Sequence, residues 1–251
     1  MRLVVLTPSR GSISVEQRKM LVKLAILLKD RGHHLGWHDD TIPGLLHQSR
    51  ASLLYLLSQE SDDTRGLWLD ADVYFDWRRV LWAMDRSEDM IVWTYPVRIA
   101  FDVQYPPEVH YGRAALIRAE PVRTWTATPK VGAYVSRSDD GKLVELKQCG
   151  LGAALMTSSL ARAMQSAYGP AQSDRAGKMI SGAFESMPYP DDRTSEDIGF
   201  CRRLQAQGHR IWCDPVPYVT NGQCGGRFSD EIRLREAAMP WLFAQFSAVG
   251  A

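Results

Sequence analysis

Within its first 70 residues the chain alternates three short apolar runs with two segments of helical period, and that order leaves few folds open. Residues 3–6 are apolar and stop at the turn cluster Thr7-Pro8-Ser9-Arg10-Gly11. A helix is predicted over residues 15–29, with Met20, Leu21, Leu24, Leu27 and Leu28 on one face, Lys19, Lys23 and Lys29 off it, and Gly32 just past its end. Residues 33–38 read as a weaker strand ending at Asp39-Asp40. After Pro43-Gly44, a helix over residues 45–57 turns Leu46, Leu53, Leu54 and Leu57 inward, and residues 67–69 form a third strand. Strand, helix, strand, helix, strand requires right-handed crossovers and a largely parallel sheet. Ligands of such sheets bind at the carboxyl ends of the strands. Thr7 to Arg10, Asp39-Asp40 and Asp70 to Asp72 all fall at such ends, which points to a nucleotide pocket.

The third strand runs into two carboxylates one residue apart, Asp70-Ala71-Asp72. Residues at i and i+2 of a strand point to the same side. Two carboxylates so aimed repel each other unless a cation or a proton lies between them. A hard divalent cation carrying phosphate oxygens is one partner for the pair. The plainer alternative is a turn in which both residues cap the next segment. Glu196-Asp197 carries a similar pair of readings. Thr194 and Asp197 have the offset of a capping box, and acids in a first helical turn favour the helix dipole. The same acids follow a long polar segment, residues 168–194, of the kind that forms lids and binding loops, and a carboxylate shielded there can serve as a general base.

Elsewhere a short helix is predicted over residues 77–84 and a strand over 90–94. Residues 95–147 are looser, with five prolines and a hairpin over 132–136 and 143–146 split by Ser138-Asp139-Asp140-Gly141. Residues 113–147 carry seven Lys or Arg against four Asp or Glu, a mildly basic stretch. Residues 149–156 are apolar and punctuated by Gly150 and Gly152, and lead into a helix near 158–167. A helix over 194–204 carries Ile198, Cys201 and Leu204 inward. Strands over 209–213 and 216–219, the turn 221–226 and a helix from about residue 230 complete the chain. At 251 residues, 45% hydrophobic and 24% charged, this is the composition of one globular domain with a loose second half. The net charge of +1 exerts no global pull toward nucleic acid or membrane, and no apolar stretch is long enough to span a bilayer. The four cysteines have no Cys-x-x-Cys spacing, which argues against a zinc site or disulfide framework and fits a reducing cytoplasm.

The constellation of hydrophobic-Asp70-Ala71-Asp72, Gly150-Leu151-Gly152 and Ser195-Glu196-Asp197-Ile198-Gly199-Phe200-Cys201 after an N-terminal α/β half resembles the GT-A glycosyltransferases, in particular small enzymes of the kind encoded by bacteriophages. The resemblance runs from Leu3 to about Gly222. It implies a single GT-A-like, Rossmann-like α/β domain with a mostly parallel central sheet. Residues 1–100 would form the nucleotide-sugar-binding half, and residues 101–251 a loop-rich acceptor and catalytic half. It further implies that Asp72 binds Mn²⁺ or Mg²⁺, that Asp70 contacts the donor ribose or the metal shell, and that Thr7, Pro8, Ser9, Arg10 and Asp39 hold the nucleobase. Arg50 matches an arginine near the donor, with Ala51 where many such enzymes have Asn. Gly150, Leu151 and Gly152 would line the acceptor and sugar site, and Asp197, beside Glu196, would be the base of an inverting transfer.

Many similar enzymes place a histidine near the end of the last core strand as a metal ligand; here Tyr218-Val219-Thr220-Asn221-Gly222-Gln223 has none, so the resemblance would leave Asn221 to supply an oxygen, a weaker ligand, with His110 and His209 the alternatives if the fold brings one inward. The implied partners are a nucleotide-sugar donor, uridine-based, and an acceptor hydroxyl, with no membrane. The host cytoplasm is the implied setting for a phage-encoded enzyme. Among the aromatics Trp125, Tyr134, Phe184 and Tyr189, Trp125 is the one assigned to the acceptor. If that acceptor is a hydroxymethylated pyrimidine in DNA, the base must be flipped out, and the basic stretch and the 168–194 segment are placed to assist. Transfer to a saccharide or protein, and a non-catalytic nucleotide-sugar-binding protein that keeps the fold, are the alternatives. A haloacid-dehalogenase-type phosphatase shares the Asp-x-Asp but carries it on its first strand, and a nucleotidyltransferase needs a better glycine-rich basic loop than Thr7 to Gly11.

Overall fold

The computed structural model describes residues 1–8, 13, 15–40, 46–71, 73–74, 76–93, 127–129, 138–172, 179–184, 196–214 and 220–221. In the first half β1 (Arg2–Pro8), α1 (Val15–Asp30), β2 (His34–Asp40), α2 (Leu46–Ser58), β3 (Thr64–Leu69), β4 (Val73–Tyr74), α3 (Trp77–Met84) and β5 (Met90–Trp93) follow one another. The second half holds β6 (Ala127–Pro129), β7 (Val144–Cys149), β8 (Ala153–Thr157), α4 (Ser158–Tyr168), β9 (Pro170–Gln172), β10 (Met179–Ser181), a 3-10 turn (Gly182–Phe184), α5 (Glu196–Ala206), β11 (Ile211–Asp214) and β12 (Thr220–Asn221).

Eight strands form one sheet in the order β2-β1-β3-β8-β5-β11-β7-β6. β1 pairs in parallel with β2 and β3, and β5 with β11. β8 runs antiparallel between β3 and β5, so all five of those strands point the same way and their carboxyl ends share one edge. The mostly parallel α/β architecture expected from the order of elements is therefore present. β8 is what the sequence pattern hid. Ala153 to Met156 are all buried, so the segment shows no alternation of polar and apolar residues.

Alternate residues of each strand feed two cores. Val4, Leu6, Trp68, Val92, Ala154 and Cys213 face α2, α4, the 3-10 turn and α5. Leu3, Val5, Leu67, Leu69, Ile91, Leu155 and Trp212 face α1 and α3. The inward stripe of α1 includes Gln17, wholly buried, in line with Leu21, Leu24 and Leu28. On α2, Leu53, Leu54 and Leu57 are inward as expected, whereas Leu46 is 41% exposed at the helix start. The small residues Ser49, Ala51 and Ser52 let α2 lie close to its neighbours.

Two further expectations change in the second half. The segment 168–194, expected to be loop, contains the β9–β10 hairpin, with Ile180 opposite Ala171. The 3-10 turn after it carries Phe184 into the core, stacked on Phe200 at 4.6 Å and tilted against Trp68 at 6.0 Å. The strand opposite β7 is β6, with Ala127 against Cys149; residues 132–136, expected there, lie outside the described residues. The turn at Ser138 to Gly141 is present, closed by the Gly141 N–H on the Ser138 carbonyl at 2.8 Å. The strand expected over 216–219 and the helix from residue 230 also lie outside the described residues.

Gly66, in the middle of β3, fixes how closely α2 approaches the sheet. A Cβ there would sit 2.6 Å from a methyl of Leu57 and 2.8 Å from a methyl of Leu6, both side chains being wholly buried. Valine is favoured over glycine in an isolated strand, but here it overpacks the core. Gly66→Val is expected to lower stability by about 1–3 kcal/mol in urea unfolding. An unchanged or raised stability would show that α2 can retreat freely.

Candidate active site

Asp70 leaves β3 on the same face as Trp68, the face covered by α2. Its backbone is held firmly. The Asp70 N–H donates to the Gly152 carbonyl at 3.0 Å, which extends the β3–β8 ladder by one step. The Val73 N–H donates to the Asp70 carbonyl at 3.0 Å, closing a tight turn through Ala71.

The Arg50 guanidinium of α2, 2% exposed, lies against this carboxylate. Nη2 donates to both Asp70 oxygens at 3.2 Å, and Nη1 donates to Glu196 Oε1 at 2.7 Å and to Asp197 Oδ1. Residues 20, 146 and 147 positions away in sequence are thus gathered on one cation. Glu196 and Asp197 occupy the first turn of α5, where their charge meets the positive end of the helix dipole. That is the dipole placement expected of acids in a first turn, and the contact with Arg50 is additional to it; Thr194, the other half of the expected capping box, lies outside the described residues. The Leu151 N–H donates to Asp197 Oδ2 at 3.3 Å, so the Gly150-Leu151-Gly152 link holds the Asp197 carboxylate through Leu151 and the Asp70 main-chain N–H through the Gly152 carbonyl. The Leu151 side chain is itself wholly buried.

Burial pushes the Asp197 carboxyl up to about 6, the Arg50 charge opposing it and the neighbouring charges of Glu196 and Asp70 adding to it. A carboxylate there changes protonation close to neutrality, a property suited to a general base. Behind it, Cys149 at the end of β7 and Cys201 on α5 place their Sγ atoms 3.7 Å apart as buried free thiols. Their mutual contact and burial hold the Cys149 thiol well above its ordinary range.

Thr7 and Asp39 are register partners at the ends of β1 and β2. The Thr7 hydroxyl is buried and has no hydrogen-bond partner among the described residues. Pro8 closes β1 beside it and is buried. Asn221 of β12 pairs with Val73 of β4, which puts its backbone beside the residue that follows Asp72. Ser9, Arg10, Asp72 and Trp125 lie outside the described residues, as do the side chains of Asp39 and Asn221.

Gln17 is the residue that sequence reading missed. Its Nε2 donates to the Asp70 carbonyl at 2.8 Å and the Val73 carbonyl at 2.9 Å. The available signal was a lone amide in the inward stripe of α1. Asp214, also missed, is wholly buried at the end of β11. It accepts from Arg79 Nε and Nη2 at 2.7 and 2.5 Å and from Trp93 Nε1 at 3.0 Å, which ties α3 to the same sheet edge.

Among the described residues three carboxylates meet one guanidinium, and carboxylate oxygens are donors that a hard divalent cation takes. No group of three or more His, Cys, Asp or Glu able to hold a metal occurs among the described residues. No helix among the described residues is long and apolar enough to cross a membrane.

No family model and no curated protein sequence matches the chain. Among solved structures it is similar to A197 from STIV, with 15% identity and a TM-score of 0.44 over 87% of this chain and 83% of that one. It is also similar to a glycosyltransferase involved in the glycosylation of the major capsid of PBCV-1, with 12% identity and a TM-score of 0.33 over 93% of this chain and 98% of that one.

Removing the buried cation exposes what it balances. Arg50→Met leaves Asp70, Glu196 and Asp197 facing one another, and is expected to cost about 3–5 kcal/mol at pH 7.5. Acid protonates the carboxylates and relieves their repulsion, so the deficit relative to wild type should shrink at pH 5. Urea unfolding at the two pH values checks this; a deficit that is the same at both would mean that the arginine acts through packing alone.

Proposed function

We propose that the chain is a metal-dependent glycosyltransferase of the GT-A kind that moves a sugar from a nucleotide-sugar donor, uridine-based, to an acceptor hydroxyl with inversion. The observation that carries this reading is the meeting of Asp70 with Glu196 and Asp197 around the buried Arg50, at the carboxyl edge of a mostly parallel sheet. The acidic end of β3 and the acidic start of α5 thereby form one site with two functions.

In this scheme Thr7, Pro8, Ser9, Arg10 and Asp39 bind the nucleoside at the ends of β1 and β2. Asp70, Asp72 and Asn221 would hold Mn²⁺ or Mg²⁺, which supplies neutralisation of the departing diphosphate. Asp197 accepts the proton of the acceptor hydroxyl. The hydroxyl oxygen bonds to the anomeric carbon on the face opposite the phosphate, the bond from that carbon to the phosphate oxygen breaks, and the nucleoside diphosphate leaves with the electron pair. Arg50 holds the Asp197 and Glu196 carboxylates in place, and the Leu151 N–H fixes the second oxygen of Asp197. Gly150, Leu151, Gly152 and Trp125 would bind the acceptor in this scheme. We place a hydroxymethylated pyrimidine in DNA first among acceptors, on the mildly basic residues 113–147, with saccharide and protein hydroxyls next.

The test is donor cleavage and transfer over a panel of nucleotide sugars, with Mn²⁺ and with chelator, on wild type, Asp72→Ala and Asp197→Asn. Release of nucleoside diphosphate should require metal and vanish in Asp72→Ala. Asp197→Asn should lower transfer by about 100- to 10,000-fold, the range of general-base catalysis. A folded wild type that cleaves no donor would sink the reading in favour of a binding protein.

The pH dependence follows from the same carboxylate. A base works only when ionised, so kcat/KM should climb as pH rises through about 6 and level off above it. The residual activity of Asp197→Asn should lack that acid limb. A wild-type profile flat from pH 5 to 8 would assign the proton to another group.

A further inference from the structure

We infer that Gln17 is a positioning residue for the metal- and diphosphate-binding turn, and that α1 thereby sets the affinity of the site for its cation; this rests on the proposed function. The residues whose carbonyls Gln17 holds, Asp70 and Val73, bracket Ala71 and Asp72 in the sequence. Both accept from the same nitrogen, Gln17 Nε2, at 2.8 and 2.9 Å. A primary amide has two N–H donors on one atom, so a single side chain closes the loop from below at both of its ends. The turn's own hydrogen bond, from the Val73 N–H to the Asp70 carbonyl, spans the same two residues.

The two layers of the fold hold Asp70 by different atoms. Arg50, from the α2 layer, takes the carboxylate, while Gln17, from the α1 layer, takes the main-chain carbonyl. The carboxylate is left at the mercy of its counter-ions, but the backbone that aims it is not. Gln17 is wholly buried, where a long polar side chain is costly unless its hydrogen bonds are made. Leucine, methionine or another aliphatic would complete the α1 stripe with less penalty, so the amide at this position serves the turn rather than the core. Glutamate in its place would set a negative charge against two carbonyl oxygens. A residue that orients the ligands of a metal site, without touching the metal, typically changes affinity by about 10- to 100-fold when lost.

The experiment titrates the full-length protein with Mn²⁺, with and without uridine diphosphate, and reads bound metal from loss of the free-ion electron paramagnetic resonance signal. It compares wild type with Gln17→Met, which keeps the length and removes both donors. Leu21→Val, one turn along the same buried stripe, controls for loss of helix packing. The expected result is Mn²⁺ binding at least tenfold weaker in Gln17→Met and unchanged in Leu21→Val. Gln17→Asn, which keeps the amide but shortens its reach, gives the same comparison should the methionine variant not fold, and should weaken binding in the same direction. Equal Mn²⁺ affinity in the Gln17 variants and wild type overturns the inference while leaving the proposed function standing. Equal weakening in Leu21→Val overturns it as well, by reducing Gln17 to a packing residue. A wild type that binds no Mn²⁺ overturns the proposed function, and the inference with it.

Discussion

A guanidinium buried to 2% exposure and gripped by three carboxylates is the interaction on which the rest of this molecule depends. Burying a charge is costly unless it is paired, and pairing it with several opposite charges in turn burdens the carboxylates with one another. The cost is met by placement. Asp70 comes from the end of a central strand, Arg50 from a helix whose small residues let it approach that strand, and Glu196 and Asp197 from a helix start whose dipole favours negative charge. No one of these elements forms the site alone. Whatever draws Asp70 away from Arg50 also alters what Arg50 offers to Asp197, so the end of β3 and the start of α5 share one cation.

Much of the frame was legible in the chain itself. The helical stripe of residues 20–28, the apolar runs at 3–6 and 67–69, and the short helix over 77–84 each follow from local sequence pattern, and α1, β1, β3 and α3 stand where those signals put them. The acidic residues at the end of the third strand and at Glu196-Asp197 were visible in the sequence, each with a capping or dipole reading beside the chemical one. What linked them was not. Arg50 was singled out by resemblance alone, and only the three-dimensional packing shows that it is buried and meets all three carboxylates.

The misses have particular causes. β8 is buried on both faces and so lost the alternation that marks a strand, and its antiparallel insertion into a parallel sheet has no local signature. The β9–β10 hairpin joins three-residue strands across a polar stretch, too short for periodicity to register. Gln17 was overlooked because the α1 stripe reads as sufficient without it, yet a polar residue at an inward position is the more informative observation. Leu46 was taken as inward by helical spacing alone. It stands at the first residue of α2 and is 41% exposed.

The thiols of Cys149 and Cys201 extend this picture to a different property, chemical accessibility. They sit between β7 and the helix that carries Glu196 and Asp197, both enclosed and, for Cys149, far from the thiolate form that reacts with electrophiles. An alkylating reagent therefore meets them only when α5 lifts from the sheet. Their rate of modification is a clock for that opening, wound by the same packing that holds the carboxylates over Arg50, and it runs without substrate, metal or turnover.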